Sequence, residues 1–255
     1  MLERPMGHAA LLNQLQEAID RIVAVARRVP GDAVVPSYPS HDVASLVGHV
    51  ADVLERVDRG LSTGRFDRSP PKPPVSDRDD AIAQLRQSSR DAVRALRRTP
   101  AQTRLVHAFT TLPATASMYP CYLAVEVVIH RWDMETALGE HTPIDTELAV
   151  VAIDNLFEAW MPLRRADTTG VEPLRVLVET SDVSRCWTVT ADESGISAVP
   201  GTDSHDASVR GSAADLMLLL WKRIQVDSPV FHVVGDYAAV DRLLALGYVP
   251  DPRRT

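Results

Sequence analysis

The chain has 255 residues, 45% of them hydrophobic and 24% charged, with 34 acidic against 27 basic side chains and a formal net charge of −7. That is the composition of a soluble globular protein with one large or two ordinary domains, and scattered arginines on an acidic chain argue against nucleic acid as the main partner. No apolar run approaches the roughly 20 residues of a membrane-spanning helix, the charged N-terminus predicts no export signal, and the two cysteines form no CxxC pattern, so a reduced cytoplasmic setting is expected.

Up to about residue 165 the apolar residues recur at helical spacing. A first helix is predicted over about 7–28, with Leu11, Leu15, Ile19, Ile22 and Val23 on one face and "VPGD" as its stop. A second follows "SYPS", with Ser40 as N-cap and Asp42 in the first turn, and carries Val43, Leu46, Val47, Val50, Val53, Leu54 and Val57 inward. Residues 59–78 mix proline, glycine and charge and read as a long surface loop. A third amphipathic helix follows over 77–98 with Ile82, Leu85, Val93 and Leu96 as its stripe, closed by Pro100. A fourth is predicted from about Tyr119 to Leu138 and a fifth from about Asp145 to Trp160. The N-terminal part, 1–165, is therefore expected to be a mainly α helix bundle.

"LRRADTTGVEP", 163–173, reads as a linker. Beyond it "LRVLVET", "RCWTVTA", "GISAVP" and "DASVRG" read as strands, with "DESG" as a hairpin turn. "GSAADLMLLLWKRIQ" opens with Ser212 and Asp215 in capping-box relation and continues as a helix. A strand, "PVFHVVG", and a helix, "DYAAVDRLLAL", complete a smaller α+β domain over 172–250, expected as an antiparallel sheet with its helices on one face.

Chemistry concentrates in "VEVVIHRWDMETA", residues 125–137. Glu126 has apolar neighbours on nearly every side, where an unpaired carboxylate is costly and either protonates or finds a cation. His130 lies one turn on, on the same face, so the two offer an oxygen and a nitrogen to a common point. A third ligand must come from elsewhere, and His49, amid Leu46, Val47, Val50 and Val53, is the leading candidate. Two histidines and a glutamate leave a coordination position open, as in a catalytic zinc site. Spacing alone leaves a second reading open: Glu126 and His130 as a local hydrogen-bonded pair, and His49 as a satisfied core histidine. Asp133 suits a supporting acceptor for His130, and Arg131 a partner for an acidic neighbour. Trp132, Trp160, Trp187 and Trp221, with Cys121 and Cys186, read as packing residues. Phosphate loops, dinucleotide fingerprints and GxSxG elbows are absent from the sequence.

Three regions carry a resemblance over nearly the whole chain: "YPSHDVASLVGHV", "LAVEVVIHRWDMETALGE", and "ASVRGSAADLMLLLWKRI" followed by "VVGDYAAVDRLLA". In order and spacing they resemble the mycothiol-dependent maleylpyruvate isomerase family. The resemblance implies a DinB-like four-helix metal-binding domain joined to a smaller α+β domain related to sterol carrier proteins. It also implies a divalent metal, usually taken as zinc, on positions matching His49, Glu126 and His130. This chain departs from the pattern at Pro39, Ser40 and His41, where many relatives have Pro-Gly-Trp. His41 lies two turns before His49 and is expected in the first helical turn, too far along to share a metal by local geometry, with a place lining the pocket mouth as the lesser alternative.

The implied chemistry suits an open metal position. A thiol is mostly protonated at neutral pH while the thiolate is the nucleophile, and a dication on the sulfur favours the thiolate. Mycothiol held in this way would attack a small electrophile, giving either an S-conjugate or, after bond rotation, an isomer. The resemblance also places an arginine of "MLLLWKRIQ", Arg223, near a cleft where it would hold an anionic group; a helix-terminal arginine bonded to the last carbonyls is the plain alternative. The expected partners are the thiol and a small-molecule electrophile, with no nucleic acid and no membrane, for a monomer or small homo-oligomer. The alternatives are a metal-dependent hydrolase, which the same ligand set permits, and a metal-free or catalytically idle relative that binds a small ligand or a protein partner.

Overall fold

The computed structural model describes residues 6–65, 75–106, 113–161, 168 and 170–246, and they form two compact units, Met1–Thr142 and Pro143–Thr255. In the first unit four helices make a bundle: α1 (His8–Ala26), α2 (Val43–Thr63), α3 (Arg78–Arg98) and α4 (Tyr119–Thr136). α1 packs on α4 and α3, and α2 packs on α3 and α4, so α2, which carries His49, and α4, which carries Glu126 and His130, are direct neighbours. The expected stripes are the buried ones: Leu11, Leu15, Ile19, Ile22 and Val23 on α1, and Ile82, Leu85 and Leu96 on α3, whereas Val93 is half-buried. A short antiparallel pair, β1 (Arg104–Val106) and β2 (Pro113–Thr115), precedes a turn of 3-10 helix that leads into α4.

Two expectations about α2 are corrected. Its N-cap is Asp42, not Ser40: the Asp42 side chain accepts from the Ser45 amide at 2.7 Å, and the Ser45 hydroxyl accepts from the Asp42 amide at 2.9 Å. This reciprocal capping box satisfies two otherwise orphaned amides at once, which Ser40, two residues earlier, does not do. The helix also runs to Thr63, beyond the expected loop start at 59, because Gly60 and Leu61 are buried on its inner face. Gly64, left-handed at φ 72°, ends it, a conformation that costs glycine little. The middle of the expected 59–78 loop, 66–74, lies outside the described residues.

The second unit opens with α5 (Thr146–Asn155), capped by Asp145 and running on into a wide turn over Leu156–Trp160. The expected boundary at 165 grouped this helix with the bundle; it packs against α6 (Ala213–Leu220). Most of the expected linker, 162–167 and 169, lies outside the described residues. Five strands, β3 (Leu174–Thr180), β4 (Cys186–Asp192), β5 (Gly195–Pro200), β6 (Ala207–Gly211) and β7 (His232–Gly235), form one sheet in the order β5-β4-β3-β6-β7. The sheet is mixed instead of purely antiparallel, because β6 crosses from the β5 edge to the far side of β3 and pairs with it in parallel. Alternation builds one apolar face from Leu174, Val176, Val178, Trp187, Val189, Ala191, Ala207 and Val209, all buried. α6 and α7 (Tyr237–Leu246) pack on the central strands β3 and β6. Asp154 of α5 accepts from the Trp187 indole at 2.7 Å and from Arg185 at 2.6 Å, fixing the helix to β4. Among the described residues no helix is long and apolar enough to cross a membrane.

Candidate metal centre

α4 is apolar on most of its circumference, and Leu123, Ala124, Val127, Val128 and Ile129 are buried. Glu126 and His130 are one turn apart on it, with His130 Nε2 3.3 Å from Glu126 Oε1. From α2, His49 Nε2 reaches the same carboxylate oxygen at 3.8 Å. One ligand atom from each of the three lies within 4.8 Å of the others, and this is the cluster of metal-ligating side chains found among the described residues. Two imidazole nitrogens and one carboxylate oxygen are a donor set that a borderline dication such as zinc accepts.

Protein atoms surround the site, but they do not seal it. His130 is 5% exposed, while Glu126 and His49 keep 26% and 28% of their side-chain surface open. The carboxylate expected to be wholly buried therefore has an accessible edge. Burial works to raise the Glu126 pKa, but the hydrogen bonds and charges of His130 and His49 outweigh it and hold the carboxyl well below its usual range. His130 moves the other way: burial opposes its protonation, yet Asp133 and Glu126 together raise it to about 9. A cluster that draws a proton so strongly onto an imidazole between two carboxylates is electrostatically prepared for a cation.

Asp133 supports His130 as expected. It is fully buried, its Oδ2 lies 3.1 Å from His130 Nδ1, and its Oδ1 accepts from the Ser37 hydroxyl at 2.7 Å. Engaging Nδ1 turns Nε2 toward the cluster, the usual support for a histidine ligand. Arg131 is buried too, but away from the triad: it donates to the Thr142 carbonyl at 3.0 Å and lies 4.0 Å from Glu135. Glu135, fully buried, accepts from Arg21 of α1 at 2.6 Å and from the Thr142 amide and hydroxyl at 2.9 and 2.6 Å.

His41 is closer to the site than helical spacing implies. It precedes α2 and is not in its first turn: the chain turns back there, with the Val35 amide donating to the His41 carbonyl and the His41 amide to that of Tyr38. Its ring stacks on Tyr38 with centroids 4.6 Å apart and meets His49 edge-on at 5.5 Å. Burial, then the neighbouring His49 and His130, push its pKa down to about 4, so the ring is neutral at neutral pH. Periodicity carries no signal for such a contact, because a turn brings the ring round.

Arg223 lies in the second unit, just beyond α6, and donates to the Trp221 carbonyl at 2.9 Å. Trp187 and Trp221 are buried in that unit, Trp132 stacks on His141, and the side chain of Trp160 lies outside the described residues. Cys121 is buried, Cys186 half-buried, and both are free thiols.

A four-helix bundle in which two neighbouring helices present a His, Glu, His cluster defines a class, the helical domains with a candidate metal-binding centre between facing helices. Comparison gives a particular likeness: residues 12–135 match the Mycothiol maleylpyruvate isomerase N-terminal domain. The match spans most of the N-terminal unit, which is similar to that domain family. A solved mycothiol-dependent maleylpyruvate isomerase has the same fold, with a TM-score of 0.57 and 16% identity over 97% of this chain and 96% of that one. A mutant of the mycothiol-dependent maleylpyruvate isomerase matches with the same values. No curated protein matches the chain.

Proposed function

We propose that His49, Glu126 and His130 hold a divalent metal, zinc first among those to test, and that the protein uses mycothiol in S-transfer to, or isomerisation of, a small electrophile. The observation that carries this reading is the convergence of the three ligand atoms within 4.8 Å inside the matched domain. When bound, the dication supplies the electrostatic pull that favours the thiolate form of a coordinated thiol. The protein's own residues do the rest. Glu126 brings one negative charge, which lowers the net charge of the centre without cancelling it. Asp133 keeps His130 oriented through Nδ1, and Ser37 keeps Asp133 oriented in turn. The exposed edges of His49 and Glu126 leave a side from which a thiol approaches, and the deep placement of His130 keeps water from the other. For Arg223 the bond to the Trp221 carbonyl is the one the helix-terminal alternative expects, and a role on an anionic group is carried by the resemblance alone. The reaction is placed in the cytoplasm, where low-molecular-weight thiols stay reduced.

The test is metal analysis of the purified protein and of His49→Ala, followed by titration of the cobalt-substituted protein with mycothiol. One equivalent of divalent metal, lost in the variant, and a sulfur-to-cobalt charge-transfer band on adding mycothiol are expected. A cobalt spectrum unmoved by thiol would exclude the thiol reading.

A further inference from the structure

The rings around the candidate centre close a circuit. Tyr38 stacks on His41 at 4.6 Å, His41 meets His49 at 5.5 Å, His49 meets His130 at 4.9 Å, and His130 meets Tyr38 at 5.6 Å. Two of the four rings belong to the proposed ligands, and the other two come from one short turn, 37–41. That turn is fastened at both ends: Ser37 donates to Asp133 on α4, and the residue after His41 is the capping aspartate of α2. The His41 ring is thus held on one face by Tyr38 and on one edge by Ser40, whose hydroxyl lies 3.1 Å from Nδ1. Its remaining polar atom, Nε2, has no hydrogen-bond partner among the described residues and is not sealed from solvent. A half-buried imidazole nitrogen, fixed in place beside a ligand histidine, costs little ordering entropy when it bonds an incoming molecule.

We infer that His41 is a specificity-determining residue, whose Nε2 hydrogen-bonds an acceptor oxygen carried close to the sulfur of the thiol bound at this centre. The inference rests on the proposed metal and thiol reading. An acceptor oxygen at Nε2 selects the tautomer in which Nε2 carries the ring proton and Nδ1 accepts from the Ser40 hydroxyl. The ligands so favoured are thiols with a carboxylate or carbonyl within two or three atoms of sulfur, in preference to thiols with apolar tails.

The experiment uses the full chain loaded with cobalt(II) and two simple probes, mercaptoacetate and ethanethiol, with affinities read from the sulfur-to-cobalt band. The charge of the centre favours the anionic probe by itself, so the informative quantity is how the mercaptoacetate-to-ethanethiol preference changes between variants. His41→Phe keeps a ring for Tyr38 and His49 to pack against but removes both nitrogens. It should cut the preference by about tenfold, the worth of one hydrogen bond to a charged group, leaving ethanethiol affinity and the cobalt d–d spectrum within about twofold. His41→Gln, which returns a donor at about the same reach, should restore part of the preference. A preference unchanged in His41→Phe, or an equal loss for both probes, overturns the assignment of His41 alone. The absence of a sulfur-to-cobalt band with either probe in the unsubstituted protein overturns the underlying reading, and this inference with it.

Discussion

Glu126 and His130 each titrate away from their ordinary range, and the signs set a pH test. In the metal-free protein the raised His130 contributes stability that is fully present below 6.5 and is lost as pH rises toward about 9. The lowered Glu126 contributes stability present above 4.5 and lost as pH falls through its depressed folded value. A metal needs His130 neutral, so protons compete with it. The melting-temperature gap between loaded and chelated protein should therefore widen from pH 6 to pH 9, measured in matched buffers; a gap independent of pH would contradict this coupling. Asp133→Asn tests the support of the same histidine. The amide keeps the size but not the charge, and metal affinity should fall about 10- to 100-fold in competition with a chromophoric chelator. At this scale the sequence revealed much, because Glu126, His130 and Asp133 share one helix and i, i+3 and i, i+4 spacing translates directly into proximity. His49 was readable as a histidine on an apolar face. For His41 a place at the pocket mouth is only the lesser alternative in the sequence, since its approach depends on where a turn folds back.

The helix ends show a similar contrast between patterns that sequence spells out and those that depend on competition. Two polar residues, Ser40 and Asp42, stand before α2, and either is a good cap by type. Asp42 caps because Ser45 lies three residues on and returns the bond. Asp42→Ala should cost about 1 kcal/mol in urea unfolding, with Ser40→Ala near zero; equal effects would place the cap wrongly. At the end of α2, charge and glycine around 59–64 resemble a loop in sequence, while burial of Leu61 continues the helix. In the sheet, alternation marked the strands well, yet the parallel pairing of β3 with β6 is a matter of chain path and leaves no periodic trace. Asp154 accepts from the buried indole of Trp187 on β4 and from Arg185 just before that strand, so Asp154→Ala should destabilise the second unit by about 2 kcal/mol, followed by tryptophan fluorescence. A loss below about 0.5 kcal/mol would show that water replaces the carboxylate.

For the molecule as a whole, the two-part organisation was legible as a change from helical to alternating spacing. The place of division was less so: α5 has the helical spacing of the bundle, but its apolar residues serve α6. Which partner an amphipathic face chooses is decided by the whole set of faces available, not by its own pattern. The three proposed ligands all lie in the first unit, on α2 and α4. Adding metal should accordingly slow amide hydrogen exchange most in those two helices and leave β3–β7 little changed, as read by mass spectrometry. Protection spread evenly over both units would point to metal binding elsewhere.

The buried Glu135 bears on when the chain becomes competent, as well as on how it holds together. Its hydrogen-bond partners are Arg21, 114 residues earlier, and Thr142, seven residues later. During synthesis the first helix leaves the ribosome long before the carboxylate it must neutralise, and the cluster closes only once Thr142 has emerged. His130 is made before that point, on a helix whose last turn still lacks its anchor. Capture of a metal should thus be a late event, following completion of the bundle instead of guiding it.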